Sequence, residues 1–367
     1  MKIVYDHQIF SSQRYGGISR YFFELAKGLA EVVGDDGSVN VNSPFFVNNY
    51  LSGAPSSFGV LGKHMLAFRG VERFCRASNT VLSPLLMRAL RPDIVHETYY
   101  SSRPSAPRSS RTVITVYDMI HELFPQSFSE KDKTCSVKRQ AVQRADHVIC
   151  ISEHTRQDLV RLLNVPVEKT SVVHLGFSLT TSVIEDVQEP VRPYLLYVGM
   201  RDGYKNFETL LRAYACQPWL KENFDLIAFG GGRFTASECA MIERLGIVAQ
   251  VHQHGGGDQV LASHYRQAAL FVYPSLYEGF GIPPLEAMSY GCPVVCSNTS
   301  SIPEVVGAAA RMFDPDSTES LANALVEVLQ SPEACQELRR LGLARVNEFS
   351  WSRCVRETHA IYQRVLS

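Results

Sequence analysis

The sequence predicts an α/β chain of two domains, and three observations lead there. Its 367 residues are enough for two domains that each bury a sizeable core. Its hydrophobic content of 45% and charged content of 20% are ordinary for a soluble globular protein. Short apolar runs that end in polar or Gly-rich turns alternate with helical patterns along the chain, the order that builds parallel sheets. The formal net charge of −1 argues against a general nucleic-acid binder. The nine cysteines are odd in number, scattered and without CxxC spacing, so reduced thiols fit better than a disulfide framework; Cys292 and Cys296 read as packing residues. The chain enters directly on a strand pattern rather than a signal peptide, and no apolar run approaches the ~18 residues of a membrane span.

Taken in order, residues 2–5 read as the first strand and 6–15 as a polar loop. Gly16 and Gly17 precede a helical pattern with Ile18, Phe22, Leu25 and Leu29 on one face. A glycine turn between strand and helix either brings backbone N–H groups to a phosphate or is simply tight. Residues 36–60 read as loop. Residues 61–91 carry Lys63, Arg69, Arg73, Arg76, Arg88 and Arg91 against Glu72 alone, interleaved with Leu66, Phe68, Phe74, Leu82, Leu85 and Leu86. This pattern fits an amphipathic helix pair with a solvated basic face, or a peripheral contact with an anionic membrane surface. Residues 93–96 read as a strand opening into Glu97-Thr98-Tyr99-Tyr100, and 111–117 as a Val/Ile-rich strand ending at Asp118 and His121. Polar residues at the carboxyl end of a parallel strand sit where such sheets bind ligands; His121 alternatively caps a turn. Residues 138–145 are helical, 147–151 a strand, and Ser152 an N-cap for a helix over 153–163. A strand over 170–174 ends the first domain, set at 1–180, and the aperiodic segment 181–193 is the linker.

The second domain spans 194–348 and opens on a buried strand at 194–198. The loop after it carries Arg201 and Lys205, and Phe207, Leu210, Leu211 and Tyr214 form the stripe of the next helix. Lys205 stands at that helix's N-terminus, where the dipole disfavours a cation and a bound anion would remove the conflict. Arg201 and Lys205 together could neutralise a diphosphate without a metal, or be two exposed bases. A strand at 225–229, the turn Gly230-Gly231-Gly232 and a helix at 236–245 follow. His252 and His254 lack a third ligand at metal spacing. A helix at 259–268 leads into the stretch 273–297, which reads as strand, loop, short helix and strand. Pro283-Pro284 suit a first helical turn and Gly291 a left-handed C-cap. Glu278 falls in the loop and Glu286 in the first helical turn. Gly279 and Gly281 offer bare backbone, and the free N–H groups of a helix start attract anions. Carboxylates there would repel phosphate, so they accept hydrogen bonds from hydroxyls, and a ligand with phosphate in its middle and hydroxyls at both ends is a sugar nucleotide. The alternative is that Glu286 caps its helix and Glu278 is solvated. Asp314-Pro315-Asp316 precedes a helical pattern over 317–330 and reads as a cap rather than a metal site. Ser350 caps a closing amphipathic helix within 349–367.

The run E-G-F-G-I-P-P-L-E at 278–286 resembles the E-x7-E signature of retaining glycosyltransferases of family 4, and similar features recur from Gly16 to Leu366. The resemblance implies the GT-B fold, two Rossmann-like domains facing across a cleft with the C-terminal helix crossing back to the N-terminal domain. It implies transfer of a hexosyl unit from a nucleotide sugar to a hydroxyl, with retention, no metal and no cofactor. On this reading Glu278, Asp118, Arg201 and Lys205 form the catalytic set. Gly16, Gly17, Gly279, Phe280, Gly281, Ile282 and Glu286 join Arg201, Lys205 and Glu278 around the donor, with His121 and Tyr99 toward the acceptor. The family's His-Asp pair is broken here, because Tyr117 stands where the His is usual, and this removes any role borrowed from that His. The opening and strand-end segments are most similar to mannosyltransferases of bacterial surface polysaccharide and O-antigen (lipopolysaccharide) assembly. That similarity implies GDP-mannose, a glycan or lipid-linked oligosaccharide acceptor, no nucleic-acid partner, and a cytoplasmic place at the inner face of the membrane. A UDP-sugar-dependent transferase, a nucleotide-sugar epimerase, and a non-catalytic sugar-nucleotide or glycan-binding protein are the alternatives.

Overall fold

A computed structural model describes residues 1–178, 192–201 and 203–367. The expected linker at 181–193 lies, up to residue 191, outside the described residues. The chain divides into two compact units, one of Met1–Leu123, Phe128–Gly176 and Phe349–Ser367, the other of Phe124–Ser127 and Phe177–Glu348.

The first unit runs β1 (Lys2–Tyr5), α1 (Gly17–Val33), β2 (Ser38–Phe46), α2 (Asn49–Ser52), β3 (Gly59–His64), α3 (Val71–Leu90), β4 (Ile94–Glu97), β5 (Arg111–Val116), α4 (Ile120–Leu123), α5 (Thr134–Arg144), β6 (His147–Cys150), α6 (Glu153–Leu163) and β7 (Thr170–Val172). Its seven strands pair in parallel in the order β3-β2-β1-β4-β5-β6-β7. Ile3, Val95, Val113, Ile114, Val148 and Ile149 are fully buried, as expected of strands covered on both faces. Ser152 caps α6, its hydroxyl accepting from the Thr155 N–H at 3.1 Å.

Two expectations fail here. Residues 36–60 are not loop, because β2 and the start of β3 lie within them. Val39 and Val41 alternate with asparagines, which hides the strand, yet Asn42 is buried and donates to the Ser83 carbonyl (3.0 Å) and hydroxyl (3.1 Å). Gly62 lets β3 approach, since a Cβ there would stand 1.7 Å from the Ser43 oxygen. Residues 61–91 are not a helix pair: 61–64 finish β3, and α3 is a single 20-residue helix started after Gly70 at φ +87°.

The second unit runs β8 (Tyr194–Val198), α7 (Phe207–Ala215), α8 (Pro218–Asn223), β9 (Asp225–Phe229), α9 (Ala236–Arg244), β10 (Val251–His254), α10 (Asp258–Gln267), β11 (Leu270–Tyr273), α11 (Ile282–Ser289), β12 (Val294–Ser297), α12 (Ile302–Val306), β13 (Arg311–Phe313), α13 (Thr318–Leu329) and α14 (Pro332–Val346). Six parallel strands follow the order β10-β9-β8-β11-β12-β13. Leu195, Tyr197, Leu210, Leu226, Leu270 and Leu325 meet in its core. Each sheet therefore reverses strand order once, at β1/β4 and at β8/β11, and ligand crevices form outside the carboxyl ends of strands at such points.

The last helix, α15 (Trp351–Leu366), belongs to the first unit and packs along α1. Gly28 makes room for it, since a Cβ there would meet Val355 Cγ2 at 2.5 Å. Tyr362 carries the helix into the sheet: its hydroxyl stands 2.5 Å from Nδ1 of the fully buried His96, whose Nε2 is 2.9 Å from the Thr115 hydroxyl. Burial pushes the His96 pKa down to about 3. Below about pH 6.5 the unfolded chain takes a proton that the folded His96 refuses, so this contribution to stability is complete above 6.5 and is lost as the pH falls toward 3, at about 1.4 kcal/mol per pH unit. Between pH 6.5 and 4.5, His96→Gln is expected to lose about 2 kcal/mol less than the parent in urea titrations; parallel pH profiles would refute this role for His96.

Candidate active site

The carboxyl ends of β8 and β11 bring together the residues that the sequence pointed to most strongly. After β8 the chain turns through Gly199 (φ +135°) and a short 3-10 turn at Gly203–Lys205, and Asn206 (φ +57°) starts α7. After β11 the loop 274–281 ends at Gly281, whose φ of +105° favours glycine, and α11 follows. Lys205 Nζ and Glu278 Oε1 lie 2.7 Å apart across the two loops. Lys205 also stands 5.2 Å above the Tyr204 ring and 5.9 Å from that of Tyr273. The Tyr273 phenol is held well above its ordinary pKa by burial and then by the Glu278 charge. Glu278 is 8% exposed and so is not a solvated loop residue. Its carboxylate supplies the anion that a cation at a helix start calls for.

The loop is fastened from β12. Ser300 accepts from the Glu278 N–H at 2.9 Å, Ser301 donates to the Glu278 and Phe280 carbonyls at 2.8 and 3.0 Å, and Thr299 donates to the Leu276 carbonyl at 2.7 Å. The sequence reading passed over these hydroxyls; their signal is three in a row one residue after a buried strand. Gly279 and Phe280 are buried in the same loop, and Ile282 is the first residue of α11. Glu286 lies one turn into α11 rather than in its first turn, and its Oε2 accepts from the Tyr265 hydroxyl at 3.1 Å rather than capping the helix.

Arg201 is placed otherwise than expected. Its guanidinium donates to Glu238 (2.6 Å) and to the carbonyls of Gly230 (2.9 Å), Gly231 (3.3 Å), Gly232 and Arg233 (both 3.0 Å). Phe207 and Phe234 lie beside it at 5.9 and 5.0 Å, and the side chain is 4% exposed. All three glycines have positive φ, so Arg201 staples a turn whose carbonyls point inward. Among the described residues it shares no partner with Lys205: Arg201 holds Glu238 and the glycine turn, and Lys205 holds Glu278. A cavity of about 490 Å³ lies beside Arg201, Thr235 and Met241.

In the first unit Gly16 precedes α1 in extended backbone, and a Cβ there would stand 2.3 Å from the Gln13 side-chain oxygen that receives the Ser19 N–H. Gly17, the first residue of α1, faces open space. Asp118 Oδ1 accepts from the Ile120 N–H at 3.0 Å. The buried Lys138 donates to the Asp118 carbonyl (2.9 Å) and to Glu122 (2.8 Å), 3.9 Å from Asp118 Oδ1 and 5.4 Å from the Tyr100 ring. Sequence reasoning missed Lys138; its signal is a lysine in the i, i+3, i+4 stripe with Ala141 and Val142. Tyr99 lines a cavity of about 800 Å³ at the β1/β4 reversal with His7 and Ser105. Burial, then Asp118 and Asp132, raise the Tyr99 pKa. Ser105 ties two strand-end acids together, its N–H to Glu97 (2.9 Å) and its hydroxyl to Asp6 (2.6 Å). Burial and Asp6 push Glu97 up to about 7 against the pull of Arg144, which donates to it. His121 does not line that cavity; it stacks on Phe128 at 3.9 Å and lies 3.8 Å from Asp132.

His254 faces His264 at 3.2 Å and His252 faces Asp225 at 3.5 Å. Asp314 accepts from the Asp316 N–H in the turn that Ser317 follows as the cap of α13. Among the described residues no three His, Cys, Asp or Glu side chains gather as metal ligands.

The two cations therefore separate experimentally. Arg201→Ala strands Glu238 and opens the glycine turn, and is expected to cost about 3 kcal/mol in urea unfolding. Lys205→Ala is expected to cost about 1–2 kcal/mol, its ammonium being partly exposed. Equal losses would reject the assignment of Arg201 to the turn.

Residues 15–181 match the description Glycosyltransferase Family 4, and residues 185–343 match Glycosyl transferases group 1. The chain is 28% identical to the O-antigen chain mannosyltransferase B of Escherichia coli over 95% of its own length and 96% of that protein. It is 25% identical to the serotype-specific mannosyltransferase WbdA of Escherichia coli over 78% of this chain, which spans only 38% of that longer protein. Among solved structures, the sucrose-phosphate synthase of Thermosynechococcus elongatus superposes with a TM-score of 0.71 at 20% identity, covering 99% of this chain and 98% of that one. With both halves matched and the two parallel sheets in place, the chain belongs to family 4 of the glycosyltransferases and is a glycosyltransferase of the GT-B fold.

Proposed function

We propose that this glycosyltransferase moves a mannosyl unit from GDP-mannose to a hydroxyl of a glycan or lipid-linked oligosaccharide in O-antigen-type polysaccharide synthesis, with retention and without a metal ion. The observation that carries it is the Lys205–Glu278 pair at the β8/β11 reversal. A donor diphosphate would compete with Glu278 for the Lys205 ammonium. As Lys205 turned to the phosphates, Glu278 would be released to accept hydrogen bonds from the sugar hydroxyls and to face the positive charge that builds at the anomeric carbon. One anion replaces another at the cation, and the sugar hydroxyls would donate to the carboxylate that Lys205 gives up. The N-terminus of α11, opened by Gly281, adds backbone donors toward the phosphates. Glu286, on the same helix, is suited to ribose hydroxyls, with Tyr265 steering its second oxygen. Asp118, held by Lys138, and Tyr99 would meet the acceptor, and Arg201 would act by shaping the glycine turn. Mannose and the O-antigen setting are supported by the mannosyltransferases to which the chain is similar. A lipid-linked acceptor would be met at the inner face of the cytoplasmic membrane. No helix among the described residues is long and apolar enough to cross one.

Thermal unfolding with GDP, UDP, dTDP, ADP and their sugars tests the donor. GDP and GDP-mannose are expected to stabilise, by about 2.7 kcal/mol at a hundredfold excess over the dissociation constant, and EDTA is expected to leave the shift unchanged. A shift with UDP species alone would overturn the mannose donor. Glu278→Ala is expected to lower turnover by about 10²–10³, as loss of a charged transition-state contact does. Product formed from donor alone would make the protein an epimerase, and binding without turnover a sugar-nucleotide-binding protein.

A further inference from the structure

Two carboxylates are buried at the ends of the neighbouring strands β1 and β4, and the proposed transfer uses neither. Asp6 is 0% and Glu97 1% exposed. Asp6 is met by donors on both oxygens, the Thr98 N–H (2.9 Å) and hydroxyl (2.6 Å) on one, the Gln8 side-chain amide (2.7 Å) and the Ser105 hydroxyl (2.6 Å) on the other. Among the described residues Glu97 has one donor for each oxygen, the Ser105 N–H at 2.9 Å and the Arg144 guanidinium. Hydrogen bonds to the charged form hold a carboxylate ionised, so of the two acids Glu97 is the first to take up a proton. What Glu97 holds is a wall. Residues 99–105 follow β4, and all of them line the cavity of about 800 Å³ at the β1/β4 reversal. Arg144 donates to the Ser101 carbonyl with one terminal nitrogen and to Glu97 with the other, while its Nε is buried without a partner among the described residues. Both ends of the segment 101–105 therefore hang on the Glu97 carboxylate, Ser105 directly and Ser101 through Arg144.

We propose that Glu97 is a proton-operated latch on this wall. Ionised, it keeps Arg144 turned inward and the Ser101 end fastened, at the cost of burying a second carboxylate beside Asp6. Protonated, it keeps one oxygen for the Ser105 N–H but loses the charge that holds Arg144, and its new O–H points at groups that are themselves donors. Arg144, whose side chain is 20% exposed, then turns to water and lets go of the Ser101 carbonyl. The charges that face Glu97 are Asp6 from β1 and Arg144 from α5. His7 and Tyr117, which stand near Asp6, are kept neutral at pH 7 by burial, which lowers the first and raises the second. Burial and then the Asp6 charge push Glu97 up to about 7, so the latch works around neutral pH. Where the cavity takes the acceptor, as proposed above, the latch sets how firmly that acceptor is held. The latch itself needs neither donor nor acceptor, so its test stands apart from that of the proposed function.

Hydrogen–deuterium exchange of the full chain tests it, read by mass spectrometry on peptides covering 98–106 and corrected for the intrinsic pH dependence of exchange. Protection of this stretch is expected to fall about tenfold between about pH 8 and pH 6, while peptides from β8 keep theirs. Glu97→Gln, which cannot ionise, is expected to show the loose level at both pH values. Arg144→Gln, which leaves Glu97 and Ser105 in place, is expected to loosen the stretch at the higher pH. Urea unfolding gives a second check. The folded Glu97 holds its proton above the ordinary carboxylate range, so its contribution to stability is full below about pH 4.5 and is lost as the pH rises through 7. Glu97→Gln is expected to flatten that loss. The proposal is overturned if protection of 98–106 in the parent chain is the same at both pH values, if Glu97→Gln keeps the parent's pH response, or if the two urea profiles run parallel. Should Glu97→Gln not fold, the parent's own exchange profile and that of Arg144→Gln decide alone.

Discussion

Two loops leave the second sheet where its strand order reverses, and the ion pair between Lys205 and Glu278 holds them to each other. Parallel strands need crossover helices, so neighbouring strands at a reversal send their chains to opposite faces and open a crevice between them. A lysine at the start of α7 would face unfavourable helix charge if nothing answered it. A glutamate with 8% exposure would carry a large desolvation cost if nothing paired it. Each removes the other's difficulty, and Thr299, Ser300 and Ser301 keep the glutamate's loop in reach. The arrangement is a charge balance that ties the two loops together at the strand reversal.

Most of the fold was legible because its strands are short apolar runs closed by Gly, Asp or Ser. The strand at Tyr194–Val198, the cap at Ser152 and the cap at Ser350 fall where periodicity and capping place them. The failures share a cause. In β2 and α3 polar side chains point inward and find partners there, Asn42 on Ser83 and Asn79 on Phe45 and Ser11, so the pattern of hydrophobicity loses its relation to burial. A reading that equates apolar with inside will misplace any element whose interior contacts are hydrogen bonds.

The candidate site was legible where residue type and turn chemistry coincide, as at Glu278, Gly281 and the prolines of α11. It was illegible where a role depends on a partner far along the chain. Arg201 and Lys205 are four positions apart and look alike, but the first faces a glycine turn some thirty residues on and the second a glutamate more than seventy residues on. Lys138 looks like one more charge on a helix, and only the Asp118 and Glu122 contacts show why it is buried. Glu286 kept its place near the helix start but gained a tyrosine partner that spacing does not announce.

The notch at Gly28 that receives Val355, and the Tyr362 hydroxyl that reaches His96, also set an order of events. The first unit takes its final helix from residues 351–366, after the whole of the second unit has been made. While the chain is being synthesised, α1 and the end of β4 wait with their cover missing, whereas the second unit has all six strands of its sheet in one continuous run. The domain that begins the chain is therefore the last to close, and an apolar stripe on α1 stays uncovered until the second unit has been made.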